Sequence, residues 1–248
     1  MKTTHKHHLK DNELAMALNQ ARGWLTDNQR TLLVTIAAIV VIGGGVAAYA
    51  TWKNNVDNKA RTLLAEAMVI EEARVMPPAP PAGTTNDPNN LGGQLPGTYP
   101  TEKAKLEVAL PKFVAAAEAY PASDPGVMAR YHAATILVSL GRFDEAIKQY
   151  DQVISKGSGM ITRTARLGKA EAQVRAGQFD PAIATFKELA EQKDAPLPPD
   201  ALLFELARAY KLAGKTEDAK KTLNQIVEQH ADSQFATEAK AELAKTKG

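Results

Sequence analysis

The chain has 248 residues, no cysteine and a formal net charge of +2. The lack of cysteine excludes disulfides, cysteine-ligated zinc, a thiol nucleophile and a cysteine-linked lipid anchor. Residues 1–30 hold the excess of basic side chains, whereas residues 53–248 hold equal numbers of acidic and basic ones. The main part of the chain therefore lacks the basic surface that is typical of nucleic-acid-binding proteins.

Residues 1–30 form a polar tail in which we predict one short amphipathic helix. Such a helix suits a membrane surface, with Trp24 at the interface. Three histidines precede it and could hold a transition metal, but a tail without further ligands favours a solvated segment over a metal site. The apolar residues of the helix fall on one face and are Leu14, Leu18, Ala21 and Leu25. The histidines are His5, His7 and His8.

An uncharged apolar run, TLLVTIAAIVVIGGGVAAYATW, follows at residues 31–52. A hydrocarbon core about 30 Å thick needs roughly 20 such residues in a helix. Arg30 and Lys53 flank the run, and Tyr49 and Trp52 are placed for contact with a membrane interface. The sequence therefore predicts a transmembrane signal anchor.

Cleavage and orientation of this anchor are separate questions. Ala48-Tyr49-Ala50 has the small-residue form of a signal-peptidase site, but the apolar run is longer than the roughly 7–15 residues of a signal peptide. An uncleaved anchor is thus favoured. Basic residues lie on both sides, so their distribution does not decide the orientation. A first apolar segment with a short tail favours a cytoplasmic N-terminus and an exported main domain.

Two helical patterns follow the anchor, at residues 58–75 and 101–121, and Pro111 is expected to kink or divide the second. Between them, residues 77–100 are rich in proline and glycine. We predict that this insertion is a disordered loop, in part extended.

The segment LGRFDEAIKQY at 140–150 recurs in weaker form as AGQFDPAIATF at 176–186 and AGKTEDAKKTL at 213–223. A fixed period of this length indicates stacked repeats, each made of a helix, a tight turn and a second helix. Small residues where the helices cross let the two backbones approach closely, and a larger residue one turn later fills the space between units. The aligned columns are Ala134, Ala170 and Ala207, then Ala146, Ala182 and Ala219, then Tyr150, Phe186 and Leu223.

The turn residues of each unit have predicted conformations. A glycine without Cβ suits the left-handed position that ends a helix. An aspartate or threonine after it suits the N-cap of the next helix. The glycines are Gly141, Gly177 and Gly214, and the predicted N-caps are Asp144, Asp180 and Thr216.

This pattern resembles the tetratricopeptide repeat over about residues 126–235, in three units. Lys169 and Gln173 depart from it, because they occupy columns that are usually apolar in that family. The resemblance implies an all-α fold, with one N-terminal transmembrane helix followed by an α-solenoid of helix pairs over residues 56–248. We interpret 58–75 and 101–121 as the helices of an atypical first repeat, and ATEAKAELAKTK near the C-terminus as a capping helix.

The sequence contains no H-E-x-x-H, G-x-S-x-G, G-K-[ST] or G-x-G-x-x-G motif. His132 and His230 lie in distant segments of the main domain, and for His132 packing or solvation is favoured over catalysis. We expect no enzyme activity, no cofactor and no metal.

The remaining candidate is a binding surface for a protein or peptide. In stacked helix pairs the first helix of each unit lines the concave side, which we call the groove. The groove positions that follow from the repeat columns are Met128, Tyr131, Thr135, Val138, Leu167, Glu171, Val174, Arg175, Phe204, Arg208 and Lys211.

The order of tail, anchor and repeats resembles bacterial YfgM-like proteins, which are ancillary subunits of the SecYEG translocon, and the related periplasmic cell-division coordinators. The insertion at 77–100 departs from that pattern. The resemblance implies an inner-membrane protein with a periplasmic repeat domain that scaffolds or chaperones exported chains. A self-associating scaffold of division or secretion machinery, homo-oligomeric through anchor and repeats, and a cytoplasm-facing adaptor are the alternatives.

Overall fold

The computed structural model describes residues 16, 18–20, 22–26, 28–80 and 93–245. The chain divides into two compact units, Met1–Asn55 and Val56–Gly248. The tail histidines that were considered as metal ligands, and Leu14 and Ala21 of the predicted tail helix, lie outside the described residues.

The first unit is helical wherever it is described between Met16 and Thr26, and again from Gln29. Helix α1 spans Gln29–Glu71 and contains the predicted anchor. Its most apolar 18-residue window has a mean hydropathy of 2.4, and none of that window is buried. By length and composition this helix could cross a membrane.

The second unit begins within α1, which ends at Glu71, four residues before the predicted helix end. Residues Arg74–Val75 instead form strand β1, which pairs in parallel with β2 at Thr98–Tyr99. Pro77 disfavours helical backbone at Met76, so the helix could not have continued past this segment.

The described ends of the Pro/Gly-rich insertion are extended and partly paired, because Ala79 and Gly93 form an antiparallel bridge beyond β1 and β2. The sequence did not predict this pairing. The middle of the insertion, residues 81–92, lies outside the described residues.

Helix α2 spans Glu102–Ala119 without a break at Pro111, so proline does not divide this helix, and a kink at Pro111 stays a prediction. Both Pro111 and Glu107 are exposed, and water can reach the Glu107 carbonyl that proline leaves without a donor. Thr101 caps the helix by accepting a hydrogen bond at Oγ1 from the Ala104 backbone N–H, at 3.1 Å.

Seven further helices are described in the second unit between residues 124 and 245, and consecutive helices from α2 onward pack against each other. This arrangement confirms the predicted all-α solenoid of helix pairs, whereas the capping role of α9 stays a prediction. The seven helices are α3 (Asp124–Ser139), α4 (Phe143–Lys156), α5 (Gly159–Arg175), α6 (Phe179–Glu191), α7 (Pro199–Leu212), α8 (Thr216–Gln229) and α9 (Gln234–Lys245).

The first helix of each repeat ends in the same hydrogen-bonded turn. Gly141 has a φ of +76°, and its N–H donates to the Val138 carbonyl while the Arg142 N–H donates to the Leu137 carbonyl. This is a Schellman turn, which satisfies carbonyls left free at a helix end. The same pattern at Gly177 and Gly214 confirms the predicted role of the three glycines.

The predicted N-caps of the second helices are wrong. The cap positions are Arg142, Gln178 and Lys215, and none of them makes a side-chain capping bond. The Schellman turn is completed by the residue right after glycine, so the helix begins earlier than predicted. Asp144 and Asp180 therefore lie in the first helical turn, where a negative charge interacts favourably with the helix dipole.

The core consists of two clusters of buried side chains, one over α2–α5 and one over α5–α9. All nine residues of the aligned alanine and aromatic or leucine columns are at most 6% exposed. The end of α1 contributes Ala67 to the first cluster, with Leu63, Leu64 and Met68 packed against it. Its role as half of an atypical repeat stays a prediction.

Candidate partner-binding groove

The predicted groove residues lie on α3, α5 and α7, the first helices of the three repeats. Five of them are exposed to solvent, and most of the others are half-buried. The half-buried residues Tyr131 and Val138 also pack against the first core cluster, as Val174 and Phe204 do against the second. The exposed residues are Met128, Glu171, Arg175, Arg208 and Lys211.

Leu167 is buried instead of lying in the groove. Its side chain is 8% exposed and belongs to the second core cluster. Thr135 is half-buried, and its hydroxyl donates to the His132 carbonyl at 2.8 Å. These two positions follow the repeat columns, but neither presents a free group to a partner.

Tyr131 on α3 contacts the second helix of its own repeat and is affected by a charge on the next repeat. Its ring meets the ring of Tyr150 edge-on, with centroids 5.9 Å apart. Burial raises the pKa of the Tyr131 hydroxyl, and the negative charge of Glu171 raises it further. Burial likewise raises the pKa of Tyr150, with Tyr131 and Glu171 acting in the same direction. Both hydroxyls therefore stay protonated and able to donate hydrogen bonds.

Glu171 in the second repeat interacts electrostatically with charged side chains of the third repeat. Desolvation by the surrounding helices raises the pKa of its carboxyl, and Glu205 on α7 adds to this effect. Arg175 and Arg208 act in the opposite direction. Among the described residues, neither Glu171 nor Arg175 has a side-chain hydrogen bond or salt bridge. The middle of the groove thus offers one acid and one base to a partner.

The third repeat contains a cavity of 260 Å³ between α7, α8 and α9, which we call the α7–α9 cavity. It brings together three predicted groove residues with six that the sequence did not single out as groove positions. The predicted residues are Phe204, Arg208 and Lys211. The others are Ala207, Thr216, Ala219, Lys220, Leu223 and Glu242.

Glu242 is held at the edge of this cavity by two lysines. Its carboxylate accepts hydrogen bonds from the Nζ atoms of Lys211 and Lys245, each at 2.6 Å. These bonds lower the pKa of Glu242 to about 2. Phe235, also on α9, packs on Phe204 with ring centroids 5.5 Å apart. Counting positions along first helices could not find this cavity, because its walls come from α8 and α9 as well.

Gly168, on α5, is a packing residue that the sequence pattern did not single out. A Cβ at this position would lie 2.6 Å from Cζ of Tyr150, which is far closer than van der Waals contact. The absence of a side chain therefore lets the Tyr150 ring lie directly against α5, where it meets Tyr131. Gly168 thus allows the contact between Tyr150 and the groove residue Tyr131.

His132 packs against neighbouring side chains, one of them in the first core cluster. Its ring stacks on Phe113 with centroids 5.0 Å apart, and Nδ1 lies 3.0 Å from Oε2 of Glu71. Within the part of the chain that the structure describes, no group of three or more histidine and acidic side chains could hold a metal ion.

Tetratricopeptide-repeat family models match most of the second unit. One matches residues 102–161 and 131–201, and a second matches residues 200–233. These ranges contain the groove and helices α2–α8. No curated protein matches the chain.

Two solved structures with a similar backbone are crystal structures of a putative kinesin light chain from Podosopora anserina with nearly identical TPR-like repeats, one of them a single-substitution variant. Each is 17% identical to this chain, with a TM-score of 0.48. The alignments cover 57% of this chain and 77% or 76% of the other.

Proposed function

We propose that this chain, which belongs to the tetratricopeptide-repeat proteins, is a membrane-anchored protein-binding module of the bacterial cell envelope. In this proposal it acts as a scaffold or chaperone for exported proteins beside the Sec translocon. Residues 31–52 anchor it in the inner membrane, the N-terminus is cytoplasmic and the repeats are periplasmic.

The observation that carries this proposal is the composition of the groove. Tyr131, Glu171 and Arg208 come from three different repeats and lie along one face, with half-buried apolar side chains between them. A mixed face of aromatic, aliphatic and charged groups suits an extended or partly unfolded chain, which presents both apolar side chains and backbone polar groups. The tetratricopeptide fold is typically a non-catalytic interaction scaffold, in keeping with this role.

Site-specific photo-crosslinking in cells tests the partner. A photoreactive residue replaces Glu171 or Arg208 in the groove, and Lys148 on α4 serves as the control, because it is exposed and is not a groove position. We expect adducts with translocon subunits and exported chains from both groove positions, and none from Lys148. Adducts with other proteins only, or equal yields at all three positions, would contradict the Sec-related role. Adducts of the chain with itself would favour the self-associating scaffold.

Cysteine labelling tests the topology cleanly, because the natural chain has no cysteine. We expect a membrane-impermeant maleimide to label Lys148→Cys in intact spheroplasts and to leave Lys10→Cys unlabelled until the membrane is opened. The reverse pattern would support the cytoplasm-facing adaptor instead.

A further inference from the structure

We propose that the α7–α9 cavity binds one apolar side chain of the partner together with the carboxylate of an adjacent aspartate or glutamate inside the partner chain. This inference rests on the proposed protein-binding function and names the sequence class that the groove would select. It combines the size, the lining and the charge of the cavity.

The size of the cavity fits a single side chain. Its volume of 260 Å³ lies below the roughly 300–1,000 Å³ of pockets that hold whole drug-sized ligands. Its apolar lining consists of Phe204, Ala207, Ala219 and Leu223, from two helices. A leucine or phenylalanine of the partner would be removed from water when it enters this cavity. Such burial of an apolar side chain is the usual source of affinity for an anchor residue.

The polar rim of the cavity is predominantly basic. Arg208, Lys211 and Lys220 face it, against one acid, Glu242. Glu242 is already shared between Lys211 and Lys245, each at 2.6 Å. The rim therefore keeps an excess of positive charge beside the apolar lining, which is complementary to a carboxylate next to an apolar side chain.

The present partners of the other two rim cations are weak competitors. Arg208 lies 3.6 Å from Glu205, and the Arg208 side chain is 62% exposed. Lys220 lies 3.1 Å from Glu217, which is 87% exposed. The other member of each pair is partly exposed, Glu205 at 31% and Lys220 at 33%. Ion pairs in contact with solvent contribute little to stability, so a carboxylate of the partner can replace Glu205 or Glu217 at little cost.

The proposed carboxylate does not require a free C-terminus at the cavity. Helix α9 packs on both α7 and α8, as the first helix of a further repeat would. Its residues Glu242 and Lys245 continue the row of charges that begins at Lys211. A partner chain can therefore continue over α9, so its end is not required at the cavity.

Peptide binding to the full-length chain in lipid nanodiscs tests the inference. The probe is a fluorescein-labelled Gly-Ser octapeptide with one central Leu-Asp pair and an amidated C-terminus, followed by fluorescence anisotropy. We expect saturable binding that weakens about tenfold or more when leucine becomes serine, and again when aspartate becomes asparagine. A matched peptide with asparagine and a free C-terminal leucine should bind no better than the asparagine peptide.

Two variants of the chain locate the binding. Lys220→Glu should weaken binding of the Leu-Asp peptide about tenfold or more. Lys221→Glu, the same charge change at the next position, should leave it unchanged, because Lys221 does not line the cavity. Thr216→Trp, at an exposed position on the rim, should also weaken binding by filling the entrance. Circular dichroism of each variant confirms that it is folded.

Several results would overturn the inference. These are no saturable binding of the Leu-Asp peptide, equal binding of its asparagine version, tighter binding of the free C-terminus, or equal effects of the two lysine variants. If one of these is found while crosslinking at Glu171 still gives translocon subunits and exported chains, only the inference fails. If the groove crosslinks are absent as well, the proposed function fails with it.

Discussion

Gln178 in the second repeat donates a hydrogen bond from Nε2 to Oδ1 of Asp144 in the first repeat, over 3.0 Å. The same relation recurs one repeat later, where Nζ of Lys215 lies 2.6 Å from Oδ1 of Asp180. In both pairs the residue that follows the turn glycine contacts an aspartate of the preceding repeat, which lies three residues after the glycine of that repeat. The repeated sequence therefore joins neighbouring units at their turns, as well as through the buried columns.

Two substitutions near the turn of the second repeat distinguish the contributions of backbone conformation and of charge to the free energy of unfolding. Gly177→Ala should lower the free energy of unfolding by about 1–2 kcal/mol, because its φ of +76° places a Cβ in a strained left-handed conformation. Asp180→Asn should lower it by less than about 1 kcal/mol, since the Asp180 side chain is 82% exposed in its pair with Lys215. Urea unfolding of the full-length chain, followed by circular dichroism, measures both. A larger effect of Asp180→Asn would contradict this order.

Gly168→Ala should destabilise the protein by about 1–3 kcal/mol through overpacking against Tyr150. The added methyl group would lie 2.6 Å from Cζ and 2.7 Å from the hydroxyl oxygen of that ring. In a Tyr150→Leu background the same change should cost clearly less, because the ring is gone. Unfolding of the two single variants and the double variant gives the coupling energy. Additive effects would show that Gly168 has another role.

Gln173→Leu should stabilise the protein by about 1 kcal/mol. Gln173 is 5% exposed, and among the described residues its Oε1 is one of the buried side-chain atoms without a hydrogen-bond partner. Removal of an unsatisfied buried acceptor recovers its desolvation penalty, and leucine has a similar volume. The exposed Gln152→Leu on α4 is the control and should give no gain in the unfolding midpoint. A loss of stability at Gln173 would indicate a water-mediated partner.

The contribution of Glu242 should depend on pH with a defined sign. Its folded-state pKa is about 2, below its ordinary value of 4.5, so ionised Glu242 stabilises the folded chain above the unfolded-state pKa. As the pH falls from about 5 towards 2, this stabilisation is lost. Glu242→Gln should therefore be slightly less stable than the natural chain at pH 6, by less than about 1 kcal/mol, and nearly equal to it at pH 2. A difference that persists at pH 2 would contradict the ion-pair explanation.

The repeated architecture could be predicted from the sequence. Turn glycines at a fixed period, buried alanine columns and an uncharged apolar run are local patterns, and each one reports the periodicity or the end of a helix. The Schellman turns at Gly141, Gly177 and Gly214 follow directly from that information. The predicted N-caps were wrong because only one residue, which completes the Schellman turn, separates each glycine from the next helix.

The side chains that meet between repeats could be identified only from the packed helices. The α7–α9 cavity, the close approach of Gly168 to Tyr150 and the burial of Leu167 depend on how neighbouring helices rotate and cross. The spacing within one helix specifies which residues share a face, but it does not specify the depth at which that face meets its neighbours. The repeated helices could therefore be predicted from the sequence, whereas the cavity formed by three of them required the packed structure.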